Sequence, residues 1–215
     1  MTNATSSLPA PAEDAELEPV WDIAYLFPPQ GSWTEEDYLA FDQGANRRLE
    51  FTDGHIEVLP VPTELHQLVL LYFYEALSAF VRARKLGLVL TSGLRVRLRP
   101  GQFREPDVVF MRAENASRRS NKFWEGADLV MEVVSDQPDD RERDLERKPR
   151  EYAAAGIPEY WILDPTSNRI LVLTLAGDRY ITHGEFRPGE RATSVLLEGF
   201  SVDVAAALRG DLDSL

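Results

Sequence analysis

The chain has 215 residues, 44% hydrophobic and 27% charged, no cysteine and a formal net charge of −13. That length suits one domain around one core. The absence of cysteine excludes disulfides, thiolate zinc sites and cysteine nucleophiles together, and the acidic balance argues against non-specific coating of nucleic acid. No apolar run approaches the ~20 residues that span a bilayer. No basic region followed by an apolar stretch marks a secretory signal. No membrane association is therefore expected, and the cytoplasm is the expected location. The charge is uneven: residues 1–20 carry Glu13, Asp14, Glu16 and Glu18 and no base, whereas residues 82–104 carry seven bases and no acid, so a local basic surface is conceivable.

Residues 1–19 lack aromatics and are rich in Ala, Pro, Ser, Thr and Glu, which predicts a disordered acidic tail before one domain over residues 20–215. Thr34 followed by three acids predicts a helix start, with Tyr38, Leu39 and Phe41 docking a short helix. Arg48 to Leu59 reads as a hairpin about Asp53-Gly54, a type I′ pair. Thr63 to Lys85 reads as a long amphipathic helix with Leu65, Leu68, Val69, Tyr72, Ala76, Ala79 and Phe80 on its stripe and Gly87 as its stop.

Val89 to Arg99 reads as extended chain, with Leu94, Val96 and Leu98 alternating against Arg95, Arg97 and Arg99. The three arginines share a face, either solvated or in contact with DNA phosphates. Two apolar strands follow, Asp107–Met111 and Asp128–Val134, separated by a polar loop. Beyond a charged run from Asp139 to Arg150, a helix ends at Gly156. Pro149 favours its start near Lys148, because proline fits a first helical turn. Tyr160–Leu163 reads as a strand buried on both faces, Ile170–Leu175 and Tyr180–Thr182 as a hairpin, and Val202–Leu208 as a last helix. The order implies an α/β or α+β fold, one mixed sheet flanked by helices with an N-terminal hairpin.

Two acids break the apolar pattern. Glu132 sits mid-strand and Asp107 opens its strand. Burying a carboxylate costs several kcal/mol unless something pairs with it, so each has a bland reading, Asp107 as a turn cap and Glu132 as an arginine partner, and a sharper one as a pair of cation ligands. Two carboxylates plus water suit Mg²⁺, and Lys148 is the base best placed to assist a phosphate ester. Arg143, Arg147 and Arg150 crowd the same run and compete with it for that role. Tyr152 and Trp161 read as core packing rather than base-stacking platforms.

The ordered set Glu50 with Asp53-Gly54, His66-Gln67, Glu105-Pro106-Asp107-Val108-Val109, Asp128 to Ser135, then Asp144, Lys148, Tyr152 and Gly156 to Pro165 resembles the Uma-two family of restriction-type endonucleases, within the PD-(D/E)XK nuclease superfamily. The resemblance covers about Thr34 to Leu208. It implies a restriction-endonuclease-like fold, Mg²⁺-dependent hydrolysis of DNA phosphodiester bonds with Mn²⁺ as a substitute, Asp107 and Glu132 as metal ligands, Lys148 as the catalytic lysine, and Glu50 and His66 near the site. Without it, Glu50 reads equally as a solvent-facing hairpin residue and His66 as a packing or hydrogen-bonding residue. One departure matters: Val134 stands where the superfamily places a lysine, so Lys148 must reach the site from the next helix. No organic cofactor is expected. Cutting both strands would need two copies, which motivates a homodimer. An inactive nucleic-acid-binding or interaction protein on the same fold is the alternative. A glycosidase with a carboxylate pair fits least, since lysine and a basic strand do little for that chemistry.

Overall fold

A computed structural model describes residues 27–41, 48–135 and 141–215. The expected N-terminal tail and the beginning of the charged run at Asp139 lie outside the described residues. Helix α1 (Glu35–Ala40) starts at a reciprocal capping box between Thr34 and Asp37, and Tyr38 is buried. Strands β1 (Leu49–Thr52) and β2 (His55–Val58) form the expected hairpin. Asp53 and Gly54 both have positive φ, 45° and 84°, as a type I′ turn requires.

Helix α2 (Glu64–Arg84) is capped by Thr63, whose hydroxyl accepts from the His66 amide. It stops at Lys85, which is in the left-handed region, and not at Gly87. Gly87 instead opens strand β3 (Gly87–Thr91), where a Cβ would fall 2.1 Å from the Met111 carbonyl oxygen. Of the expected stripe of α2, Val69 and Tyr72 are buried and Leu68, Ala76 and Phe80 half-buried, while Leu65 and Ala79 are exposed; Leu70, Phe73, Leu77 and Val81 are buried in addition. Apolar residues flank the expected stripe on both sides, so periodicity alone does not fix its edges.

The predicted extended run Val89–Arg99 divides. After β3 the chain turns at Ser92-Gly93 and enters a different sheet as β4 (Val96–Arg99), followed by β5 (Gln102–Arg104). Strands β6 (Val108–Arg112), β7 (Trp124–Glu125), β8 (Leu129–Val133), β9 (Glu159–Asp164), β10 (Arg169–Ala176) and β11 (Arg179–Phe186) follow, with a short pair β12 (Arg191–Thr193) and β13 (Ser201–Asp203). Helix α3 (Lys148–Ala154) links β8 to β9, and α4 (Val204–Arg209) follows β13 with Asp203 as its N-cap.

The strands form two larger sheets rather than one. The first is ordered β11-β10-β9-β8-β6-β3 and is mixed, because β8 and β9 run parallel while its other pairs are antiparallel. The second is ordered β2-β1-β5-β4-β7. Side chains alternate across the first sheet with period two. Val108, Phe110, Leu129, Met131, Trp161 and Leu163 pack with α2 and α4. Val109, Met111, Val130, Tyr160 and Ile162 pack on the other face with Tyr152 of α3 and Val96 of β4. A third cluster, Tyr38, Leu49, Phe51 and Phe103, seats α1 on the second sheet. Glu132 therefore lies on the face of β8 that looks toward α3. No helix among the described residues is long and apolar enough to cross a membrane.

Candidate active site

Strands β6 and β8 are antiparallel neighbours with Val108 opposite Met131. Continuing that register by one pair sets Asp107 opposite Glu132, where directly opposed side chains lie about 5 Å apart at Cβ. Both residues are buried, 1% and 3% exposed. Asp107 caps no turn of its own. Its Oδ1 accepts from Arg48 Nη1 at 2.7 Å, and its Oδ2 accepts from the Val133 amide at 2.9 Å and faces His66 Nε2 at 3.2 Å. Among the described residues no arginine is paired with Glu132. Its Oε1 accepts from the Tyr152 hydroxyl at 2.5 Å and from Lys148 Nζ at 2.9 Å.

Pro149 does not keep Lys148 from the site; it helps to set the geometry. Ahead of α3, Arg143–Arg147 form a π-helical turn, and the Lys148 amide donates to the Arg143 carbonyl five residues back. The next such bond would need an N–H on residue 149, which proline lacks. The Asp144 carbonyl left over accepts instead from the Tyr160 hydroxyl at 3.2 Å. This one-residue widening sits where Asp144 and Lys148 enter the site, a common place for π-bulges. Tyr160→Phe should cost about 1–3 kcal/mol by stranding that carbonyl. In a Pro149→Ala background, which supplies an N–H, the cost should fall. A double-mutant cycle by urea unfolding measures the coupling, and equal costs in both backgrounds would refute this account.

Lys148 Nζ also lies 3.2 Å from Asp144 Oδ1 and 3.9 Å from Glu50 Oε1. Glu50 is fully buried, which removes the solvent-facing reading. It stands beside Arg104 Nε at 3.5 Å, and that guanidinium also makes a two-bond pair with Glu151 of α3, at 2.8 and 2.7 Å. The second sheet thus delivers an acid and a base to the helix that carries Lys148. Of the competing bases, Arg147 reaches Glu57 on β2 and Arg150 points to solvent beside Glu146, whereas Arg143 lines the cavity with Lys148, donating to Asp144 Oδ1 at 3.4 Å as well as reaching Glu57. Tyr152 and Trp161 are fully buried, as packing residues should be, and cannot offer a face to a base.

Burial, reinforced by Asp107, Asp144 and Glu50 and opposed by Lys148, pushes Glu132 up to about 7. Burial acts the same way on Asp107, but His66, Arg48 and Lys148 outweigh it and hold that carboxyl well below the usual range. Burial disfavours charge on Lys148, but Asp144, Glu132 and Glu50 prevail and keep it protonated above the ordinary lysine range. For His66 burial is outweighed by the Asp107 hydrogen bond and charge, which raise its pKa.

A cavity of about 230 Å³ lies at the site, lined also by the apolar segment Leu59-Pro60-Val61-Pro62. Asp107, Glu132, Lys148 and His66 all line it, and Glu50 lies just behind Lys148. Arg95, Arg97 and Arg99 do not reach it. Arg95 packs over the Tyr38 ring and donates to the Leu39 carbonyl, Arg97 pairs with Glu125 and Glu35, and Arg99 makes two bonds to Asp53. The predicted row of outward guanidinium groups is thus engaged within the chain. Arg48 and Asp144 are site groups to which the sequence alone assigns no role, and Tyr152, expected as core packing, also donates to Glu132. Asp144 and Tyr152 had one available signal, their helical spacing around Lys148.

Among the described residues no three His, Asp or Glu side chains form a ready cation shell. The donor set nevertheless fits a hard divalent ion: two opposed carboxylates beside an open cavity leave room for the several waters that Mg²⁺ retains.

The profile of the Uma2 family, described as "Putative restriction endonuclease", matches residues 35–205. The chain belongs to this family. A solved structure from Anabaena variabilis ATCC 29413, described as a "putative nuclease belonging to DUF820", aligns with a TM-score of 0.68 at 15% identity, covering 83% of this chain and 98% of that one. At that identity the likeness concerns the fold, and it agrees with the restriction-endonuclease-like α/β arrangement expected from the sequence. No curated protein matches the chain.

Proposed function

We propose that this Uma2 protein is a divalent-cation-dependent endonuclease that hydrolyses phosphodiester bonds in DNA. The observation that carries the reading is the cross-strand opposition of buried Asp107 and Glu132 with Lys148 Nζ at 2.9 Å from Glu132, on the wall of an open cavity. Asp107 and Glu132 would hold Mg²⁺, or Mn²⁺ in its place. Bound there, the ion would supply Lewis acidity to a phosphoryl oxygen and a more acidic water. Lys148, kept charged by three carboxylates, stabilises negative charge developing on the phosphoryl group and orients the attacking water; as an ammonium it has no lone pair with which to take the proton. Tyr152 and Asp144 fix Glu132 and Lys148, His66 orients Asp107, and Glu50 adds negative potential behind the lysine. A homodimer would place two such sites on opposite strands.

The engagement of both Asp107 oxygens by Arg48, His66 and the Val133 amide favours a second reading, a nucleic-acid-binding protein without catalysis. A plasmid-nicking assay separates the two. Supercoiled DNA should be nicked with Mg²⁺ or Mn²⁺, left intact with EDTA, and left intact by Asp107→Ala. Nicking that survives EDTA or Asp107→Ala would sink the metal-carboxylate mechanism, and wild-type protein that binds DNA but never cuts it would establish the second reading.

A further inference from the structure

Arg48 stands just before β1 and lines the cavity on the Asp107 side. Its Nη1 donates to Asp107 Oδ1 at 2.7 Å, the oxygen that His66 and the Val133 amide leave open. Its Nε is buried and has no hydrogen-bond partner among the described residues. A guanidinium is a planar fork suited to two oxygens of one anion, and here it is only partly satisfied. Its side chain is 23% exposed against 2% for Asp107, so the guanidinium is the more solvent-accessible partner of the pair. A cation on Asp107 and a guanidinium on the same oxygen exclude each other sterically and by charge.

We propose that Arg48 is an exchangeable counter-ion and a substrate-binding residue: it neutralises Asp107 until a divalent cation takes that oxygen, and then binds a phosphate oxygen of the nucleic acid. The proposal rests on the metal-dependent reading above. Displacing Arg48 without a new anion leaves a largely buried charge without a partner, which is costly. The other carboxylates at the cavity, Glu132 and Asp144, already face Lys148. The phosphate that arrives with the substrate satisfies both donors of the fork. Cation and nucleic acid therefore bind cooperatively, each removing the obstacle to the other.

The test is the affinity of the full chain for Mn²⁺, read by electron paramagnetic resonance of the free ion, with and without a short phosphorothioate duplex. Wild-type protein should bind Mn²⁺ weakly alone and about tenfold more tightly with the duplex, a coupling of ordinary size. Arg48→Gln should bind Mn²⁺ about tenfold more tightly than wild type without DNA and gain little from adding it. Its melting temperature should also rise more on adding Mn²⁺ than that of wild type. Arg48→Lys, which keeps the charge but not the fork, should resemble wild type alone and lose most of the tightening by duplex. If wild type binds Mn²⁺ but Arg48→Gln binds it no more tightly, or the lysine variant matches wild type in both measurements, the exchange is refuted and the metal site stands. If neither wild type nor Arg48→Gln binds Mn²⁺, both the exchange and the metal-dependent reading fall.

Discussion

Glu132→Gln should lower DNA nicking about a thousandfold, the size of losing one preorganised electrostatic group, while leaving the fold intact and at alkaline pH more stable. Gln keeps the shape and still accepts from the Tyr152 hydroxyl and Lys148 at the position of Oε1. The stability change follows from the direction of the Glu132 shift. Its folded pKa is raised to about 7 from an ordinary value of 4.5, so between these limits the folded chain binds more protons than the unfolded one. Stability linked to this group is fully present below 4.5 and is lost as pH rises to about 7. The shift corresponds to a loss of up to about 3 kcal/mol. The advantage of Glu132→Gln over wild type should therefore grow across that window and level off above it. Urea unfolding at a series of pH values measures it, and a difference independent of pH would refute the assignment. The linkage for Asp107 has the opposite sign, because its carboxyl is held low and its stabilisation disappears only in acid.

Lys148→Met is expected to have the largest effect on stability. It leaves Glu50, Glu132 and Asp144 buried without the cation they share, and removing one partner of a buried charge cluster costs about 3–5 kcal/mol. The loss should be greatest near neutral pH and above. It should shrink as pH falls below about 7, where Glu132 takes up a proton, so this variant should be relatively acid-stable. Nicking should fall about a hundredfold or more even where the variant is folded, since its positive charge is one of the groups facing the phosphate. Arg150→Met is the matched control. That side chain is 82% exposed and pairs only loosely with Glu146 at 3.7 Å, so stability should change by about 0.5 kcal/mol or less. A Lys148→Met chain as stable as the control would refute the view that Lys148 holds the buried acids together.

The two kinds of prediction draw on different parts of the molecule. Activity depends on which acids face the cavity, a property of strand register. Stability depends on how many charges share one buried volume, a property of packing between the two sheets and α3. Glu132 belongs to both, and for that reason its substitution should separate them, removing function while relieving strain in the charge balance.

Much of this site was legible in the chain alone. Glu132 and Asp107 stand out because an acid inside an apolar strand is costly unless used, and strand patterning is local. Pro149 marked the start of α3 because proline has one comfortable place in a helix, and that start brought Lys148 forward in place of the lysine absent at Val134. The hairpin turn at Asp53-Gly54, the caps at Thr34 and Thr63, and the doubly buried β9 followed from equally local chemistry. Tertiary structure decided the rest. It divided Val89–Arg99 between two sheets, set the edges of the buried stripe of α2, and engaged Arg95, Arg97, Arg99 and Arg104 with partners 28 to 62 residues away in sequence. It also put Arg48 on Asp107, a pair 59 residues apart. Strand periodicity reports which face a side chain takes, because that depends on the backbone of its own segment. Which charge meets which across two sheets depends on register and packing between distant segments, and no local pattern carries that information.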